Sequence, residues 1–391
     1  MKIAVINSGS SSIKFQLFSM PNAEILAHAL VEKIGEVGSK ILFKYDEKEV
    51  CKTEQIDTHH DGLKIINTLL KEHHIVEHFS SLDAITHRVV HGGEYFRDIT
   101  LVDDDVQEKI RDLIPLAPLH NGANLQGILV SRKKAPNVPQ LAVFDTAFHA
   151  NMPKEAFLYA LPYEMYEKHK IRRYGFHGTS HSFVMKRAAK ELQKDVKDLN
   201  IITLHLGNGS SACAIKGGVS IDTSMGFTPL EGLIMGTRSG DIDPAITLYL
   251  QRELGLSTNE VDTILNKRSG LLGICAKIDL REIESSNDEL SSIAMNMTAR
   301  RVKKYIGSYA ALLGRVDAIV FTAGIGENSH TMRSKIMQNL ELFGIELDEE
   351  ANRENSVLIS KASSRVKVFV IKTNEELEMA RECYAFLKSR G

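Results

Sequence analysis

The stretch VINSGSSSIKFQLF, residues 5–18, decides the reading of the fold. Val5 and Ile6 close a short apolar run, residues 7–12 form a polar turn of Ser and Gly, and Ile13-Lys14-Phe15-Gln16-Leu17 alternates apolar and polar like a half-buried strand. Strand, tight turn, strand is the expected local structure. The arrangement returns far downstream, where Gly207-Asn208-Gly209-Ser210-Ser211-Ala212 enters Cys213-Ala214-Ile215 and a further turn follows at Lys216-Gly217-Gly218. A duplicated unit explains this economically, its halves facing each other across a cleft.

Working outward, short apolar runs predict further strands at 84–90, 140–144, 201–206, 318–322 and 366–371. Helical periodicity predicts helices at 62–74, 180–193, 244–254, 289–313 and 374–388. The mixture of strands and helices indicates an α/β or α+β architecture. With 391 residues, 43% hydrophobic, two domains are expected, at 1–150 and 151–391, the final helix free to pack back on the first. A net charge of −2 with no basic patch argues against nucleic-acid and membrane-surface binding. Cys51, Cys213, Cys275 and Cys383 are scattered with no C-x-x-C pair, read as buried thiols of a reducing compartment. Four apolar residues after Lys2 are too few for a signal-peptide core, and no run approaches the ~20 apolar residues of a spanning helix. The expected location is the cytoplasm.

Gly/Ser turns let backbone N–H groups converge on a phosphate, because glycine accepts positive φ and no Cβ blocks approach. Four are available, at 7–12, 207–211, 236–240 and 324–328, and together they point to nucleotide binding. The familiar signatures fail: there is no G-x-x-x-x-G-K-[ST], and the G-x-G-x-x-A at 207–212 runs into a strand where a dinucleotide site needs a helix. His177 and His181 stand four apart as in a zinc helix, but the Glu is missing and Gly178 is a poor helix interior. Thr179 or Ser180 is instead expected to cap the following helix, leaving His177, flanked by Arg172 and Arg173, in a loop where it can donate to an anion. Arg88 at a strand end and Arg238 inside Met235-Gly236-Thr237-Arg238-Ser239-Gly240 suit capture of carboxylate or phosphate, against the alternative of surface ion pairs. Asp145 ends an apolar strand, as a catalytic group of an open sheet or as a helix cap. Asp103-Asp104-Asp105 reads as a helix start, and His73-His74 as a solvated face.

Together these segments resemble the acetate kinase family. The resembling runs are VINSGSSSIKFQLF (5–18), HRVVHGGE (87–94), APLHN (117–121), FDTAFH (144–149), RRYGFHGTSH (172–181), HLGNGSS (205–211), DTSMGFTPLEGLIMGTRSGDIDP (222–244), FTAGIGENS (321–329) and TNEE (373–376), in the family's order. The resemblance implies two ribonuclease-H-like domains of the actin-like ATPase type flanking an interdomain cleft. It also implies reversible phosphorylation of acetate by ATP to acetyl phosphate and ADP with Mg²⁺, or Mn²⁺ in its place, in a homodimer.

Carried over by position, Arg88 and Arg238 would bind the carboxylate and the moving phosphoryl group, with His177 beside them and Asp145 as the catalytic acidic residue. Asn7 and Glu375 match the metal positions; Ser10, Ser12 and Lys14 match the first phosphate turn. His205, Leu206, Gly207, Asn208 and Gly209, then Asp279, Leu280 and Arg281, then Gly324, Ile325, Gly326, Glu327 and Asn328 match nucleotide segments. Val90, Leu119, His120, Phe176 and Pro229 match the substrate pocket, in which Val90 would favour acetate over propionate. Three departures stand out. Thr86 replaces a usual Gly, Gly122-Ala123 a usual Pro pair, and Cys275-Ala276-Lys277-Ile278 a run richer in Ser and Gly, which bears on contacts to the base. A propionate or butyrate kinase is the nearest alternative; an actin-like ATPase or regulatory nucleotide-binding protein is the alternative of another class.

Overall fold

The computed structural model describes residues 1–118 and 120–390. The chain forms two compact units, one of Met1–Ala150 with Asn374–Gly391, the other of Asn151–Thr373.

The first unit is built on β1 (Lys2–Ser8), β2 (Ser12–Ser19), β3 (Glu24–Glu32), β4 (Lys40–Tyr45), β5 (Lys48–Thr53), β6 (Ala84–Val89), β7 (Thr100–Leu101) and β8 (Gln140–Phe144), in the order β5-β4-β3-β2-β1-β6-β8-β7. β1 to β5 pair antiparallel, while β1, β6 and β8 run parallel. Parallel strands buried on both faces carry unbroken apolar runs, which is why β1 and β8 read so plainly. Ala4 and Ile6 of β1 join a core with Leu63, Ile66 and Leu70 of helix α1 (His59–Glu72). Ile3 and Val5, on the other face, meet Met379, Ala380 and Cys383 of the last helix, Glu375–Arg390. Full burial of each Ile, Leu, Val or Met side chain on these faces contributes about 1.5–3 kcal/mol. Helices α2 (Asp104–Asp112) and α3 (Asn121–Lys134) complete this unit's main elements. Asp103 caps α2 by accepting from Val106 N, in line with the acidic helix start.

The second unit carries β9 (Asn200–Leu206), β10 (Ser210–Lys216), β11 (Val219–Thr223), β12 (Ala318–Thr322) and β13 (Lys367–Val370), ordered β11-β10-β9-β12-β13. This matches β3-β2-β1-β6-β8 strand for strand, antiparallel across the first two pairs and parallel across the last two. Each unit thus repeats one ribonuclease-H-like order. Helices α4 (Gly178–Glu191), α5 (Ala245–Arg252), α6 (Glu289–Leu313) and α7 (Ala323–Asn328) belong here. Among the described residues no helix is long and apolar enough to cross a membrane.

Several local expectations need correction. Residues 324–328 are not an open turn but lie in helix α7. Helix α4 starts at Gly178 with His177 as its N-cap, not Thr179 or Ser180. His74 is exposed as expected, while His73 is half-buried and stacks on Tyr45 at 4.2 Å. Cys51 is exposed on edge strand β5, whose other face leans on the core only through half-buried Val50; the other three thiols are buried.

Candidate active site

In the first unit, parallel pairing sets Arg88 of β6 beside Val143 of β8. Asp145 is the next residue after β8, and its N–H still bonds the Val89 carbonyl at 3.0 Å. The two side chains therefore project from adjacent strand ends. Arg88 Nε donates to Asp145 Oδ1 at 2.9 Å and Nη2 to Oδ2 at 2.7 Å, a two-point fork that fixes the guanidinium plane. Asp145 is 3% exposed and Arg88 22%. Glu375, first residue of the last helix, brings Oε2 to 3.9 Å from Arg88 Nη2. Burial alone would lower the Arg88 pKa, but the charges of Asp145 and Glu375 outweigh it and raise it. Burial pushes the Glu375 carboxyl up, against the pull of Arg88 and with repulsion from Asp145.

The β1–β2 turn closes with Gly9 N donating to Ser12 O at 2.8 Å. A Cβ on Gly9 would stand 2.8 Å from Ser12 Oγ, which explains the glycine. Ser10 and Lys14 are exposed, and Asn7 pairs with Lys14 across the ladder. Val90 is half-buried and His120 exposed at the start of α3; Leu119 lies outside the described residues. Among the described residues there is no cluster of three His, Cys, Asp or Glu for a metal. The amide oxygen of Asn7 and the carboxylate of Glu375 are hard oxygen donors, which fit Mg²⁺, an ion that keeps waters and shares substrate phosphate oxygens rather than needing a full protein cage.

In the second unit, His177 sits in the left-handed region at φ 58°. Its Nδ1 shares a hydrogen bond with Ser211 Oγ at 2.9 Å, and His181 Nε2, one helical turn on, meets the same hydroxyl at 2.8 Å. The His177 ring stacks on that of His205 at 4.1 Å, and His205 Nδ1 bonds Ser180 Oγ at 2.8 Å. The two histidines of the H-x-x-x-H spacing thus converge on a serine of β10. Arg172 lies over the Phe157 ring and Arg173 pairs with Glu231 at 2.6 Å.

Arg238 differs from Arg88. Its Nη1 donates to the Pro229 carbonyl at 2.6 Å, and it has no ion pair with a carboxylate among the described residues. Burial lowers its pKa, yet a guanidinium remains charged. A Cβ at Gly209 would lie 2.7 Å from Arg238 Nη2 and 3.5 Å from the His177 ring, so only glycine brings the β9–β10 turn against both. Gly236 likewise leaves room for Asn208 Oδ1, which a Cβ would meet at 2.0 Å. Phe176 is buried immediately before His177.

A cavity of about 740 Å³ opens beside this turn, lined by Gly207, Asn208, Asp279, Leu280, Arg281, Gly324, Ile325 and Asn328. Its volume falls in the range of small-ligand sites. His205 and Leu206 are buried in β9, and Gly326 packs on Phe321. Glu327 turns inward, accepting from Ala323 N at 2.9 Å and Thr373 N at 3.0 Å. Sequence reasoning missed Ser211 as the meeting point of the histidine network and passed over Asn124, buried on α3 on a face that also holds Asn121 and Ser131 and so gave no apolar pattern for it to interrupt.

A twice-repeated sheet of this order, with a glycine turn against a carboxylate-free arginine, marks a phosphotransferase of the actin-like ATPase fold. The chain belongs to the acetokinase family, whose model matches residues 2–381. It is 66% identical over 389 residues to the acetate kinase of Sulfurimonas denitrificans, covering all of both chains. Among solved structures it is similar to acetate kinase of Porphyromonas gingivalis, with TM-score 0.94, 42% identity and 99% of each chain covered. It is also similar to a propionate kinase from Francisella tularensis, with TM-score 0.92, 44% identity, and 97% of this chain and 98% of that one covered. It is accordingly a kinase with a carboxyl group as acceptor.

Proposed function

We propose that this enzyme reversibly transfers the terminal phosphoryl group of ATP to acetate, giving acetyl phosphate and ADP by direct in-line displacement. The observation that carries this reading is Arg238, a partly buried cation with no ion pair to a carboxylate among the described residues, held beside Gly209 and His177. A planar, charge-rich phosphoryl group in transfer is the anion such donors stabilise. Acetate has a pKa near ~4, is ionised at neutral pH and needs no general base. Arg88, held in plane by Asp145, receives the carboxylate. The cavity beside Asn208 and Asn328 takes the nucleoside, making residues 151–373 the nucleotide side, with Ser10, Ser12 and Lys14 serving the phosphates. Asn7 and Glu375 would hold Mg²⁺, which when bound offsets phosphate charge.

Propionate preference is the second reading, since a propionate kinase is among the similar structures. Val90 argues for acetate, one methylene being worth only about 1–3 kcal/mol. We further assign the protein to the cytoplasm, supported by four free thiols. We also propose a homodimer, supported by helix α5, in which Ile246, Leu248 and Tyr249 are all exposed. A hydroxamate assay with ATP, Mg²⁺ and carboxylic acids of two to four carbons tests the activity. Acetyl hydroxamate in greatest yield is expected; none from any acid overturns the proposal.

A further inference from the structure

The parallel ladder between β1 and β6 ends at the pair Ile6 and His87. Beyond it the strands part, leaving the Ser8 carbonyl and the Val90 N–H with no rung to share. Asn124 of α3 enters that gap. Its Oδ1 accepts from Val90 N at 3.1 Å and its Nδ2 donates to Ser8 O at 2.7 Å, so one side-chain amide stands where a peptide unit would. The residue is 3% exposed, in keeping with both of its bonds being made inside the protein. One turn further on, a Cβ at Gly127 would lie 2.2 Å from Ser8 Oγ, so the helix rests directly on the end of β1. Asn121 repeats the device on the next residue, accepting from His91 N at 3.0 Å and donating to His91 O at 2.9 Å.

We infer that Asn124 is a positioning residue that sets acid-length selectivity by fixing where the Val90 wall stands against the β1–β2 turn. The inference rests on the acetokinase reading and on Val90 as the wall. Removing the amide leaves the half-buried Val90 N–H and the buried Ser8 carbonyl without these partners, and backbone 88–91 then relaxes to find others. A displaced wall discriminates less against one extra methylene.

The test is the ratio of kcat/KM for propionate to that for acetate. Both values share the same active enzyme, so partial unfolding leaves the ratio unmoved. In Asn124→Ala it should rise about three- to tenfold, the span of a fraction of the methylene energy. Adding Asn124→Ala to Val90→Ala should change the ratio little further, because residues acting through one another are non-additive. If Asn124→Ala does not fold, Asn124→Ser is measured in the same way. An unchanged ratio in the single variant, or ratios that simply multiply in the double, overturns the inference while leaving the activity intact. A parent enzyme forming no acyl hydroxamate overturns the activity reading, and this inference with it.

Discussion

Asp145 commits both carboxylate oxygens to Arg88, whereas Arg238 offers its guanidinium with only a carbonyl for company. One arginine is fixed by a carboxylate; the other, on the proposed function, meets the transferring phosphoryl group. On the proposed function, Asp145 orients the Arg88 guanidinium and moves no proton. Asp145→Asn should lower kcat by about 10²-fold or more through loss of that alignment, with the acidic limb of the pH profile retained; disappearance of the limb would instead indicate proton transfer. Both residues were legible as strand-end candidates in the sequence, but their pairing was not, because 57 residues separate them and only the parallel register of β6 on β8 joins them. Asn124 was less legible still, since a buried amide matching two strand ends leaves no local pattern.

At the scale of elements, β6 hides a titratable group as well as presenting one. His87 is fully buried with Nε2 at 2.7 Å from Gln140 Oε1, and burial pulls its pKa down from 6.5 to about 4. Above 6.5 the imidazole is neutral in both states and contributes nothing to the pH dependence. As pH falls from 6.5 towards 4, the unfolded chain takes up a proton that the folded strand resists, so stability declines by about 1.4 kcal/mol per unit, roughly 3 kcal/mol across the window. Replacing His87 by Gln should flatten the drop of Tm between these pH values; an equally steep drop removes His87 as its cause. The strand itself was plain from its apolar run, whereas β3 to β5 were not. β3 buries mostly small side chains, Ala27, Ala29 and Val31, and β5 buries none, so neither offers the apolar signal that burial writes into a sequence. The start of α4 was misplaced because a histidine in the left-handed region is a rare cap, while Thr179 and Ser180 are common ones.

At the scale of the whole molecule, the duplication was readable from two Gly/Ser turns because the same strand order needs the same turn in each unit. The proposed self-association is a property of the same scale. Helix α5 has no buried residue although Ile246, Leu248 and Tyr249 lie within it, and Leu254 beyond it is also exposed. The parent should sediment at twice its 43.5 kDa mass, and Leu248→Glu with Tyr249→Glu at the single mass; a parent already at the single mass rejects the dimer.

The last helix completes the first unit's core although residues 151–373 intervene in the chain. A ribosome therefore delivers every strand of the second unit before it delivers the cover for Ile3, Val5, Leu141 and Val143. While residues 151–373 are being made that face waits open, and Glu375, whose carboxylate lies 3.9 Å from Arg88 Nη2, arrives with the helix that covers it. The fork and its third charged group are therefore brought together only after residues 151–373 have been made.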